Sequence, residues 1–406
     1  MAKQTIEDLD FRTLEGRVVL VRADFNVPLD EKGRVSDDIR LRRTLPTLDV
    51  LVSAGARVVV LSHLGRPGGK TQPSLSLAPV AEQLSSLMKD KVEFCRETVG
   101  IEAETARSNL ESGELLLLEN TRFHPEETAN DPRWAAALAE GAHVFVNDAF
   151  GTAHRAHAST EGVARAIRSN GGVAVAGLLM ALELRFLSDA LSDPVRPFVA
   201  VLGGAKISGK IDVIDALLPR VDQLIIGGAM ANTFLMALGL EVGDSLVEED
   251  RVAVARDVLA KGGDKVLLPV DVVVATDITE ESVTHTVPRE AVRPDDRIGD
   301  IGSESSALFS GVLATAGTVV WNGPMGVFEM SPFAIGTLEI ARAAAAAADA
   351  GKMVIVGGGD SAAAAASAGV ADRLTHISTG GGAALELLAG GELPGVVALN
   401  DRMEAP

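Results

Sequence analysis

Short runs rich in Val, Ile and Leu alternate with longer helical patterns along the whole chain, and no other feature restricts the fold as strongly. The runs are Arg17–Val21, Arg57–Leu61, Leu115–Leu118 and His143–Val146, then Phe198–Leu202, Gln223–Ile226, Thr318–Trp321 and Met353–Val356. They are near-continuous rather than alternating, which marks strands buried on both faces. Strand, helix, strand in steady succession predicts an α/β fold of doubly wound, Rossmann-like parallel sheets. With 406 residues, 47% of them hydrophobic, there is material for two full cores. The seam is Gly177–Asp193, where GLLMALELRFLSD places apolar residues at helical spacing and stops before Pro194 and Pro197. The predicted organisation is a domain over 1–177, a hinge helix over 178–193 and a second domain over 194–393.

Composition narrows the partners. A formal charge of −19 leaves none of the basic surface that nucleic acids and anionic membranes demand. No apolar run reaches the roughly eighteen residues of a membrane helix, and MAKQTIEDLD does not read as a signal peptide. A soluble, cytoplasmic monomer is expected. Cys95, the single cysteine, has no partner for a disulfide or a metal site and reads as inert.

Doubly wound sheets bind ligands beyond the carboxyl ends of their strands, so the residues after each run carry the functional information. In the first half, Arg17–Val21 leads into Arg22, Asp24 and Asn26, and Arg57–Leu61 into SHLGRP with His63 and Arg66. Leu115–Leu118 leads into ENTRFHPEE with Arg122, and His143–Val146 into NDAFGTAHRAHAS with Arg155. Arg40 follows the first run, in a loop or early helix. One arginine past a strand is usually a surface charge. Repeated at successive exits of an acidic chain, the guanidinium fork predicts a pocket for a small polyanion. His63, His154 and His157 lack the spacing of a zinc site and read as hydrogen-bonding loop residues.

The exits of the second half are glycine-rich instead: Gly203–Gly204, Gly227–Gly228, Asn322–Gly326, Gly357–Gly359 and Gly380–Gly382. In KMVIVGGGDS, Lys352–Ser361, a strand runs through Gly357, Gly358 and Gly359 into a helix expected from Ala362, so their N–H groups converge at a helix N-terminus. A Cβ there would keep an oxyanion away. Asp360 reads either as a plain helix cap or, because it would repel a bare phosphate, as the ligand of an intervening divalent cation. STGGGA, Ser378–Ala383, repeats the arrangement. Bare backbone suits a flat base and a polyphosphate, so a nucleotide is predicted. GAKISGK, Gly204–Lys210, matches the start of the phosphate-loop pattern, but Ile211 stands where Ser or Thr would hold magnesium. Lys206 and Lys210 then serve the phosphates as point charges.

Taken together, VRADFNVP, SHLGRP, LLENTRFHPEE, NDAFGTAHRAHAS, GGAKISGK, WNGPMGVFE, GGGDS and STGGGA resemble phosphoglycerate kinase, in that family's order, from about Val21 to Leu388. The resemblance implies 3-phosphoglycerate at Asp24, Asn26, Arg40, His63, Arg66, Arg122 and Arg155. It implies magnesium–ATP or ADP in the second domain, with Lys206 and Lys210 on the phosphates, Glu329 on the ribose, Asn322 and Pro324 in the wall, and Asp360 on the metal. Gly203, Gly204, Gly227, Gly357, Gly358, Gly359 and Ser361 complete the nucleotide set. The tail 394–406 is expected to return to the first domain. The chain departs from the family at Ser361, usually Thr, which keeps the hydroxyl. It departs again at Ile298, usually a glycine lining the nucleotide pocket.

The implied reaction moves a phosphoryl group between ATP and the carboxylate of 3-phosphoglycerate, giving 1,3-bisphosphoglycerate and ADP. A carboxylate is already ionised at neutral pH, so no general base is needed. Positioning and charge neutralisation remain, assigned to Arg40 and Lys210 with the N–H groups of Gly358, Gly359 and Gly381. Closure of the two domains is expected to assemble the site. A nucleotide hydrolase built on Gly204–Lys210 would leave the arginine exits without a substrate, and a non-catalytic anion binder would need neither Asp360 nor the paired lysines.

Overall fold

The computed structural model describes residues 2–402, the side chains of 189–191 excepted; residues 403–406 of the expected tail lie outside the described residues. The chain divides into two compact units, Met1–Leu184 with Glu392–Pro406, and Arg185–Gly391. The division falls inside the helix Leu178–Ser192.

The first unit is built on β1 (Val18–Arg22), β2 (Arg57–Leu61), β3 (Val92–Cys95), β4 (Leu115–Leu118), β5 (Val144–Asn147) and β6 (Val173–Ala176). They form one six-stranded sheet in the order β3-β4-β2-β1-β5-β6, every pairing parallel. Parallel strands bring all their carboxyl ends to one edge, and the order reverses between β1 and β5. Val19, Val21, Val58, Val60, Leu115 and Leu117 share a core with Leu41, Leu48, Leu51, Val80 and Leu84 of the covering helices. Leu20, Val59 and Leu116, which alternate with them, are equally buried. Near-continuous Val/Leu runs are the consequence of covering both faces.

The second unit repeats the plan with β7 (Phe198–Leu202), β8 (Gln223–Ile226) and β9 (Val266–Leu267). It adds an insertion of β10 (Asp271–Ala275), β11 (His285–Pro288) and β12 (Arg297–Ile301), then β13 (Thr318–Asn322), β14 (Met353–Gly357) and β15 (His376–Ile377). The main sheet runs β15-β14-β13-β7-β8-β9, with the reversal between β7 and β13. The inserted strands form a separate sheet, β11-β10-β12, and are antiparallel.

Several details differ from the sequence expectation. The antiparallel insertion was not foreseen, and β3, β6 and β9 escaped because VEFC, VAVA and VL are short or weakly apolar, whereas β15 is the strand expected before STGGGA. The helix expected from Ala362 starts at Gly359, so Asp360 sits within its first turn rather than capping it.

At the exit of β5, Asp148 is wholly buried against the start of the helix Leu178–Ser192 and accepts the Met180 N–H at 3.1 Å. Burial pushes its carboxyl up to about 6, opposed by hydrogen bonds from Thr47, Met180 and Leu179. A raised acid stabilises the fold fully below its unfolded value near 3.8 and ceases to do so above about 6. The stability of the native chain relative to Asp148→Asn is therefore expected to fall by about 3 kcal/mol between pH 3.5 and pH 7. Urea titrations of both proteins across that range check this, and a constant difference refutes it.

Candidate active site

At the end of β1 and just past it the chain places Arg22, then Asp24 and Asn26, at the sheet edge. Arg22 is fully buried. Its Nε donates to Ser159 Oγ at 2.7 Å and its Nη2 lies 3.1 Å from His63 Nδ1. Arg40, in the first turn of the helix Ile39–Ser53, reaches back to Asp24 with Nη1 2.8 Å from Oδ2. Asn26 Oδ1 accepts the Gly65 N–H at 2.8 Å, and Arg122 Nη1 donates to Gly65 O at 2.9 Å. Arg155 Nε donates to His154 Nε2 at 3.2 Å.

The electrostatics show how close these cations are. Burial lowers the Arg122 guanidinium to about 10, assisted by Arg22 and Arg155. Burial also holds His63 well below its ordinary value, with Arg22, Arg122, Arg40 and His157 acting in the same direction. His157 is brought down to about 4 by burial, Arg122, Arg22 and Arg155. Both imidazoles are therefore neutral at pH 7; His63 Nδ1 meets Arg22 as a hydrogen-bonding residue should, whereas the buried His157 Nδ1 makes no hydrogen bond. Asp24, Arg40, His63, Arg122 and Arg155 thus come together, while Arg66 is exposed on the loop after β2.

Two further residues of this cluster were legible only as strings. Glu127, from HPEE, is fully buried and accepts Ser159 Oγ at 2.6 Å and Ser159 N at 2.9 Å. Its charge supports Arg22 through that serine.

In the second unit, a cavity of about 510 Å³ opens beside the reversal of strand order, lined by Gly204, Gly228, Pro324, Glu329 and Asp360 among others. Its apolar walls come from Leu235, Leu246, Val272, Ile278 and Met325, most of them outside the sequence expectation because they belong to the insertion or to helices. Gly203 and Gly227 lie behind this lining. A Cβ on Gly203 would stand 2.1 Å from Pro324 O, and one on Gly227 would stand 2.4 Å from Met325 Sδ.

Lys210, just before the helix Ile211–Leu217, donates from Nζ to Asn322 O at 3.0 Å and to Asn322 Oδ1. Burial lowers its ammonium to about 8, and Asp360 opposes the shift. Lys206 stays exposed on the same loop. The buried Asn322 Nδ2 makes no hydrogen bond, and Cβ atoms on Gly357 and Gly358 would come within 3.1 and 3.3 Å of it. An unpaired buried donor facing bare backbone at a helix start is a ready place for an anion. Ser361 Oγ accepts the Gly323 N–H at 2.6 Å, which is the use made of the hydroxyl kept at that position. Gly381, with φ of 48°, precedes the helix Gly382–Leu388.

Ile298 lines the cavity, and it also packs on the small cluster Val272, Val274 and Val292. The neighbouring Gly299 also lines the cavity, and its missing Cβ leaves room for the Phe333 ring, which a Cβ would meet at 2.2 Å.

A cationic patch on one unit and a glycine-lined cavity on the other are the equipment of a small-molecule kinase with two substrates. The family model described as phosphoglycerate kinase matches residues 6–391. The phosphoglycerate kinase of Chloroflexus aggregans is 54% identical over 99% of this chain and 100% of its own, and that of Moorella thermoacetica is 54% identical over the same shares. Among solved structures, phosphoglycerate kinase from Coxiella burnetii matches with a TM-score of 0.87 at 41% identity, covering 98% of each chain. The Pyrococcus horikoshii enzyme matches at 0.84 and 33%, with the same coverage.

The chain belongs to the phosphoglycerate kinase family. It is a phosphotransferase of glycolysis, with ATP and ADP as co-substrates, that moves a phosphoryl group reversibly between ATP and the carboxylate of 3-phosphoglycerate. Among the described residues no helix is long and apolar enough to cross a membrane.

Proposed function

We propose that the first unit holds 3-phosphoglycerate through Asp24, Asn26, Arg40, His63, Arg66, Arg122 and Arg155. The second holds the nucleotide through Gly203, Gly204, Lys206, Lys210, Gly227, Asn322, Pro324, Glu329, Gly357, Gly358, Gly359, Asp360 and Ser361. The observation that carries this reading is the gathering of Arg22, Arg40, Arg122 and Arg155 around the buried His63, where burial and then the neighbouring arginines lower the Arg122 guanidinium, a cost that a bound anion relieves. Asp360 is the metal ligand in this reading. Among the described residues no group of His, Cys, Asp or Glu could cage a metal ion unaided. One carboxylate beside an anion cradle suits Mg²⁺, which takes its remaining ligands from phosphates and water. Bound there, Mg²⁺ neutralises phosphate oxygens.

Arg40 and Lys210 supply charge to the phosphoryl group in flight, and the N–H groups of Gly358, Gly359 and Gly381 supply oriented dipoles. Substrates held on separate units must be brought into line for transfer, which makes closure part of the reading. The reading also places the enzyme in the cytoplasm as a monomer without nucleic-acid partners, in keeping with its acidic composition.

Calorimetry with one substrate at a time tests the division of labour. Arg122→Ala is expected to weaken 3-phosphoglycerate by about tenfold or more, the scale of a charged hydrogen bond, and to leave ADP within about twofold. Lys206→Ala is expected to do the opposite. Loss of the other substrate in either variant refutes the assignment.

A further inference from the structure

The geometry points to Thr337, braced by Asp300, as a positioning residue that holds the segment Asn322–Glu329 in its nucleotide-binding shape. This rests on the reading of the cavity given above and names how one of its walls is kept in place.

The segment leaves β13 and crosses the cavity, bringing Pro324, Met325 and Glu329 to its lining. A strand exit of this kind has no ladder to satisfy its N–H groups, so each needs a partner of its own. Gly323 N donates to Ser361 Oγ at 2.6 Å. The next two available N–H groups, those of Met325 and Gly326, both donate to Thr337 Oγ1, at 3.0 and 3.1 Å. Val327 N then donates to Gly299 O at 2.9 Å. Thr337 is fully buried in the first turn of the helix Ile335–Asp349. One hydroxyl therefore fixes the middle of the wall.

Asp300 sets the position of that hydroxyl. It is 2% exposed, and its Oδ2 accepts the N–H of Gly336, the residue before Thr337, at 2.7 Å. Oδ1 fills the space beside two glycines, since a Cβ on Gly326 would come within 2.3 Å of it and one on Gly336 within 2.5 Å. The carboxylate is thus wedged between the loop and the start of the helix. Movement at Met325 would also spread beyond the loop. Gly228 N donates to Met325 O at 3.0 Å, Gly204 N donates to Pro324 O at 2.9 Å, and the Met325 side chain lies against Gly203 and Gly227. The glycine exits of β7 and β8 share the register that Thr337 imposes.

Thr337→Val keeps the side-chain shape and removes the acceptor, leaving the Met325 and Gly326 N–H groups to find other partners by shifting the wall. ADP affinity by calorimetry is expected to fall about tenfold, while 3-phosphoglycerate affinity stays within about twofold. Thr337→Ser, which restores the oxygen, is expected to return ADP affinity to within about twofold of the native value. A merely structural threonine would lower the melting temperature without this split. Unchanged ADP affinity in Thr337→Val, or a serine variant as weak as the valine, overturns the inference. If Thr337→Val does not fold, Thr337→Ala is compared with Thr337→Ser in the same way. Glu329→Ala serves as the control for the cavity itself. If it leaves ADP affinity intact, the nucleotide reading of the cavity fails; if it weakens ADP while Thr337→Val does not, only the anchoring role fails.

Discussion

Arg40→Ala is expected to lower kcat by at least about a hundredfold while changing 3-phosphoglycerate affinity by less than about tenfold. Arg122 and Arg155 sit on loops at their own strand exits, in a cluster already crowded with cations. Their removal weakens a substrate that other arginines still hold. Arg40 joins the cluster from the first turn of a helix rather than from a strand exit, one third exposed, with Asp24 as its salt-bridge partner. A partly exposed guanidinium held by one carboxylate can exchange that partner for another anion. Arg40 is thus free to follow charge that appears only during transfer, and an interaction made mainly in the transition state lowers kcat and kcat/KM together. Removing a positioned cation from a phosphoryl-transfer site costs on the order of 10²–10⁵ in rate. Arg40→Lys should recover little, because an ammonium lacks the fork that spans two oxygens. Steady-state kinetics with near-normal kcat at saturating substrate would make Arg40 a binding residue and shift the catalytic charge to Lys210.

The parallel sheets were legible because strands covered on both faces must be apolar throughout, as LLLL at Leu115–Leu118 is. The strand exits were legible for a related reason: topology gathers them at one edge, so arginines distant in sequence announce a shared site. What stayed hidden was chemistry conducted through backbone and second partners. Nothing in SPFAIGT marks Thr337 as the acceptor for two N–H groups of a loop a dozen residues earlier. Asp300 reads in sequence as one acidic residue among many, yet burial raises its carboxyl to about 7 despite hydrogen bonds from Gly336 and Ile301. β11 and β12 of the insertion were missed because HTVP and RIGDI are half-polar strands of a small sheet with little core. Ile298 shows the opposite limit. It was legible as a departure, but only the structure shows its side chain both lining the cavity and packing on the core of the inserted sheet.

The effect of Asp360→Ala on nucleotide binding is expected to change sign with magnesium. The side chain is exposed in the first turn of Gly359–Ser367, where the N–H groups after Gly358 attract an anion. Without metal, the carboxylate and the nucleotide phosphates repel one another, and at about 4 Å that repulsion is worth roughly 1 kcal/mol in water and more in a partly desolvated site. Alanine removes it, so metal-free ADP is expected to bind the variant several-fold more tightly than the native chain. With magnesium the order reverses, because the native chain gains a ligand that the variant lacks. Calorimetric ADP titrations with magnesium and with a chelator give four affinities, and the two proteins should cross between conditions. Turnover should fall by about a hundredfold or more, since an unanchored cation no longer lies where charge develops. Binding of 3-phosphoglycerate should stay nearly unchanged, the carboxylate belonging to the other unit. A uniform weakening of ADP under both conditions would show that Asp360 only shapes the helix start, and loss of 3-phosphoglycerate binding with nucleotide turnover kept would overturn the assignment of the two units.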